Sequence, residues 1–88
     1  METQLVSKNQ PEKRFSTGAI SAAVWTNEGM DRNSLPTTFR TVTLQRRYKD
    51  KEGNWQSTNS LRTGDLPKAV LVLQKAFEYT VLKDDEKY

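Results

Sequence analysis

The sequence predicts an α+β protein: a curved antiparallel β-sheet of three to four strands, followed by one C-terminal amphipathic α-helix packed on one face. Three observations predict it. Much of residues 14–61 alternates apolar and polar side chains with the period of two that a half-buried strand requires. Turn-forming residues interrupt that alternation at GMDRNSLPTT and at KDKEGN. After Asp65 the apolar period lengthens to that of a helix, and strands first with a helix last is an α+β layout.

Residues 1–13 are polar, of mixed charge and interrupted by Pro11, and read as a flexible arm. RFSTGAISAAVWTNE reads as the first strand, with Ile20, Ala22 and Val24 on one side and Ser21, Ala23 and Trp25 on the other. Residues 29–38 read as a loop. The second strand, about 39–49, is the clearest. Val42, Leu44 and Tyr48 share one face with Arg40 and Arg46, while Thr41, Thr43, Gln45, Arg47 and Lys49 share the other. KDKEGN is a hairpin turn in which Gly53 takes positive φ, and WQSTNSL returns. A one-residue slip exchanges the faces of a strand. Matching apolar residues across the hairpin favours an even-length loop, which puts Trp55 and Leu61 with Val42, Leu44 and Tyr48.

The helix is expected over about 66–82, with Asp65 as N-cap and Pro67 in the first turn. Leu66, Ala69, Val70, Leu73, Ala76, Phe77 and Thr80 form its apolar stripe, and Leu71, Val72, Tyr79 and Leu82 lie off it as a second contact surface. Residues 83–88 form a charged tail. The domain therefore spans 14–82.

Eighty-eight residues that are 34% hydrophobic, with a mean hydropathy of −0.84, build only a thin core, so a homodimer is a natural way to bury more apolar surface. The chain has no cysteine and no histidine. That removes disulfides, thiol chemistry, most zinc sites and histidine acid–base schemes. No enzyme, metal or cofactor is expected. Asp50, Glu52 and Asn54 around Gly53 resemble a fragment of a calcium loop, but the spacing fails and no distal glutamate closes it. No apolar run spans a membrane and the N-terminus lacks a signal-peptide core, so a soluble, cytoplasmic protein is expected.

The net charge of +3 is a patch. Residues 1–37 are neutral, residues 38–64 carry +4 and residues 65–88 carry −1. Basic and aromatic side chains on an open sheet face suit single-stranded DNA or RNA, because cations neutralise phosphates and rings stack bases. The phosphate candidates are Arg40, Arg46, Arg47, Lys49, Lys51 and Arg62. The stacking candidates are Trp25 first, then Trp55 and Tyr48, with Phe15 and Phe39 behind. Trp55 and Tyr48 also suit the core or a hairpin clasp, and Trp25 suits a dimer contact. The alternative reading is a small protein-interaction or regulatory domain, in which the basic strand is a solvated face that blunts edge pairing.

TVTLQRRYKDKEGNWQST followed by DLPKAVLVLQKAFEY resembles a small prokaryotic domain family with a YKDKxGxW hairpin and a helix opened by Asp-Leu, over about residues 14–82. The layout is also similar to the positive-cofactor-four type of transcriptional coactivator, a sheet-then-helix protein that dimerises through its helix and binds single-stranded DNA. That similarity implies contacts from Arg46, Arg47, Tyr48 and Lys49 before the turn and Trp55 after it, and a role in transcription or DNA maintenance. The helix opening Asp-Leu-Pro and the short, mixed-charge N-terminal stretch depart from that type.

Overall fold

The computed structural model describes residues 10–85; residues 1–9 of the expected arm and 86–88 of the expected tail lie outside the described residues. Four strands form one antiparallel sheet in chain order: β1 (Lys13–Thr17), β2 (Ile20–Met30), β3 (Pro36–Lys49) and β4 (Trp55–Thr58). A single 3-10 turn (Thr63–Asp65) then leads into helix α1 (Leu66–Asp85). None of the described helices is long and apolar enough to cross a membrane.

The expected first strand is two. Apolar parity switches from odd at Phe15 to even at Ile20, and the chain reverses between them. Gly18 and Ala19 form a two-residue turn with Gly18 at φ 59°, a conformation that suits glycine. The expected loop at 29–38 shrinks to five residues, because β2 runs on to Met30 and β3 already starts at Pro36.

The β2–β3 and β3–β4 turns share one construction. Asp31 Oδ1 accepts the backbone N–H of Asn33 and Leu35, and Asp50 Oδ1 accepts those of Glu52 and Asn54. The fourth residue of each has positive φ, Ser34 at 65° and Gly53 at 87°. In each, the aspartate carbonyl accepts from that fourth residue. An Asx side chain thus supplies what the turn's backbone lacks. The oxygens of Asp50 serve this turn and the amide of Gln56, which together hold its carboxyl below the usual range, the Asn54 N–H contributing most.

Five residues is an odd loop, and this overturns the expected even register. Trp55 pairs with Lys49 and Arg47 with Ser57, so Trp55 lies on the polar face, away from Val42, Leu44 and Tyr48.

Helix α1 lies across β2 and β1 and reaches β3. The core consists of Ile20, Ala22 and Val24 from β2 against Ala69, Val72 and Ala76 from α1, rimmed by Phe15, Leu44, Leu61 and Tyr79. The helical stripe is therefore the expected one only at Ala69 and Ala76. Val72, expected off the stripe, is 2% exposed, whereas Leu66, Val70, Leu73 and Phe77 are 40–66% exposed. Small residues win the inner face because they let the helix axis approach the sheet closely, at the native packing density of an interior. Asp65 precedes the helix as expected, yet its carboxylate turns backwards, accepting the Arg62 backbone N–H at 2.9 Å and Arg62 Nε at 3.3 Å. The first of these contributes most to holding its carboxyl below the usual range. Helix α1 continues through Asp85, into the expected tail.

The fold begins earlier than the expected boundary at 14, since Lys13 already pairs in β1. Glu12, at the strand entrance, accepts from Arg40 Nε at 2.8 Å, Arg40 Nη2 at 3.2 Å, Thr26 Oγ1 at 2.6 Å and Tyr79 Oη at 2.7 Å. These bonds, the Arg40 contact foremost, lower its pKa from an ordinary 4.5 to about 2. A depressed carboxylate stabilises the fold above its unfolded pKa, and that contribution is lost as pH falls from 4.5 towards 2. Glu12→Gln is expected to cost about 1–2 kcal/mol at neutral pH, a figure reduced for solvent screening at this partly exposed site. Urea unfolding at neutral and acidic pH checks it: the gap between parent and variant should close on acidification.

Beyond Thr26 and Arg40 the β2–β3 hairpin runs on as a two-stranded arm. Its side chains are mostly exposed, Met30 to 69% and Leu35 to 57%, and the molecule measures 48 Å along its longest axis.

Candidate functional site

Strand alternation and the observed registers assign every strand side chain to one of two faces. The face away from α1 carries Arg14 and Ser16 from β1. From β2 it takes Ser21, Ala23, Trp25 and Asn27, and from β3 it takes Phe39, Thr41, Thr43, Gln45, Arg47 and Lys49. Strand β4 adds Trp55 and Ser57. Three cations and three aromatic rings share this face, and none of its strand side chains is acidic.

The rings are held in place. The Trp25 indole N–H donates to Thr43 Oγ1 at 2.9 Å, which fixes the plane of a half-buried ring. Asn27 Nδ2 donates to Thr41 Oγ1 at 3.0 Å beside it. Phe39 lies over Gly29, where a Cβ would come within 3.3 Å of the ring. Trp55 is 59% exposed and flanked by two cations, with Arg47 Cζ 4.8 Å and Lys49 Nζ 5.4 Å from its centroid. Cation–π contacts of this kind contribute about 0.5–1 kcal/mol at exposed sites, enough to bias the ring's orientation.

Of the nine residues expected to bind, Trp25, Arg47, Lys49 and Trp55 converge on this face, and Lys51 sits exposed in the adjoining turn. The other four are elsewhere. Arg40 points to the helix side and is paired with Glu12. Arg46 also points there, donating to the Ser60 carbonyl at 3.0 Å and lying 3.5 Å from Asp65. Tyr48 is on the same side with the Arg46 guanidinium 5.6 Å from its ring centre. Arg62 lies in the connection to α1, against Asp65. Parity alone put Arg40, Arg46 and Tyr48 opposite Arg47, and the carboxylates that engage the two arginines explain why they stay there. Phe15 also belongs to the helix side, edge-on to Tyr79 with centroids 6.1 Å apart.

Sequence reasoning passed over a basin of about 440 Å³ at the Gly18 end of this face, lined by Arg14, Ser16, Ser21, Gln45, Arg47 and Ser57. The parity switch at Gly18 was the signal, because a hairpin there brings Arg14 and Ser16 alongside β2. Comparison with protein-family models, with curated proteins and with solved structures gives no match to this chain.

Proposed function

We propose that this protein is a cytoplasmic, homodimeric module that binds single-stranded nucleic acid across the sheet face opposite α1, in transcription or DNA maintenance. One observation carries the reading: an uncovered sheet that gathers Trp25, Trp55, Phe39, Arg14, Arg47 and Lys49 with no acidic neighbour among its strand side chains. Single strands need that combination, rings for the bases and unneutralised cations for the phosphates. The sheet-then-helix order agrees with the layout of the positive-cofactor-four type. Duplex reading by a helix is disfavoured, because α1 carries few cations and spends one side on the sheet.

The dimer rests on a separate observation. The outer side of α1 exposes Leu66, Val70, Leu73 and Phe77 at successive spacings of four, three and four residues. That is the seam of a helix pair.

Titration with a short oligo-dT at two salt concentrations, followed by tryptophan fluorescence, tests the binding. Quenching with an affinity that falls as salt rises is expected. Trp55→Ala should cost about 1–3 kcal/mol of binding, the worth of one stacked base. Absence of quenching at low salt would sink the proposal, and the open face would then be sought as a protein contact.

A further inference from the structure

The basin at the Gly18 turn is built from donors. Two guanidinia, three hydroxyls and one carboxamide line it, and no carboxylate does. The sheet register explains the arrangement. Ser16, Ser21 and Gln45 form one row across β1, β2 and β3. Arg14 stands one same-face row to one side of it, beside Ala23, and Arg47 one row to the other, beside Ser57. Two cationic poles therefore bracket a polar floor. The Arg47 backbone N–H donates to the Ala19 carbonyl at 2.9 Å, tying the turn to β3 and fixing the width of the basin.

The charges of this basin are not spent internally. Arg40, Arg46 and Arg62 each have a carboxylate partner, whereas Arg14 and Arg47 have none among the described residues.

From this we infer that the basin is a phosphate-binding subsite, in which Arg14 and Arg47 grip the non-bridging oxygens and the hydroxyls and the Gln45 amide complete their hydrogen bonds. Guanidinium forks match phosphate oxygens two at a time, which a solvated ammonium does not. The inference rests on the single-strand reading for its source of phosphate. Ser57 follows Trp55 by two residues, about 7 Å along the same face of β4. A base stacked on Trp55 would thus bring a neighbouring phosphate to the basin. The same chemistry would take free phosphate.

Three probes separate these sources: oligo-dT, a base-free deoxyribose-phosphate strand of equal length, and inorganic phosphate. The first two are followed by the anisotropy of a fluorescent end label and the third by NMR of the arginine Nε–H groups. Arg14→Gln is expected to weaken both strands about fivefold and to reduce the salt slope by about 0.7, the share of one phosphate on a single strand. Trp55→Ala should weaken oligo-dT while sparing the base-free strand. Parent protein that binds oligo-dT, with Arg14→Gln indistinguishable from it, would overturn the subsite and leave the sheet-face reading standing. Inorganic phosphate that shifts Arg14 and Arg47, with no binding of either strand, would keep the subsite for free phosphate and remove the nucleic-acid reading. No response to any probe would overturn both.

Discussion

Arg47→Glu is expected to weaken oligo-dT binding by at least about tenfold at low salt, while its neighbour Arg46→Glu should damage the fold instead. The two arginines are adjacent in sequence and opposite in space. Arg47 lies on the open face against Trp55, with no carboxylate partner among the described residues. Reversing its charge would remove one proposed phosphate contact and set a like charge against the strand, and it deletes the cation beside Trp55. The salt slope should flatten by about 0.7 for the lost phosphate and further for the added repulsion. Nothing in the core depends on Arg47, so the urea midpoint should hardly move. Arg46 is 16% exposed at its side chain, ties β3 to the Ser60 carbonyl and faces Asp65. Glutamate there meets a carboxylate and leaves a carbonyl without its donor, so the urea midpoint should fall. Fluorescence titration and urea unfolding of both variants check the pair. Equal binding by parent and Arg47→Glu would transfer the open face to a protein partner.

Phe77→Glu is expected to convert a dimer into a folded monomer. Phe77 is 60% exposed on the side of α1 that the sheet does not cover. Phe77 is not part of the buried core, so a charge there leaves the core in place, but it would be buried unpaired in a helix–helix seam, which is strongly unfavourable. Light scattering should give the mass of two chains for the parent and one for the variant. The melting temperature of the parent should rise with protein concentration, and that of Phe77→Glu should not. Binding of long strands should fall more than binding of short ones, because two linked faces gain effective concentration that one face lacks. A parent of single-chain mass would refute the dimer.

The parts of the fold that were legible in the sequence are those set by local chemistry. β3 announced itself by alternating β-branched residues, and α1 by its period. The faces were harder, because they depend on which neighbours arrive. Apolar matching would have buried Trp55, but the Asp50 turn needs five residues, and Arg47 and Lys49 then receive the ring on the polar side. The helix carries two apolar stripes. Helical spacing selects Leu66, Val70, Leu73 and Phe77 together with Ala69 and Ala76, whereas packing keeps the two alanines and adds Val72, since Phe15, Leu44 and Tyr79 already fill the rim. The candidate face was half legible. Charge marked β3 and its turn, but charge counts cannot distinguish Arg47 from Arg46. The carboxylates that occupy Arg40 and Arg46 come from Glu12 and Asp65, far away in sequence. Arg14 was hidden by the unrecognised first hairpin.

The two-stranded arm formed by the outer halves of β2 and β3 has a consequence in time. Along the arm only alternate amides are bonded, each across the hairpin, whereas β2 between Ile20 and Val24 is flanked by β1 and β3 and lies against the helix. Exchange with solvent deuterium should therefore be graded along a single strand. The amides of Ile20 to Val24 should open only with the whole molecule, and those near Met30 and Pro36 through fraying from the tip. A ligand lying across Trp25 and Phe39 would slow the outer amides selectively. The arm would then serve as a clock for occupancy, its rate of opening reporting how far along the sheet a bound strand extends.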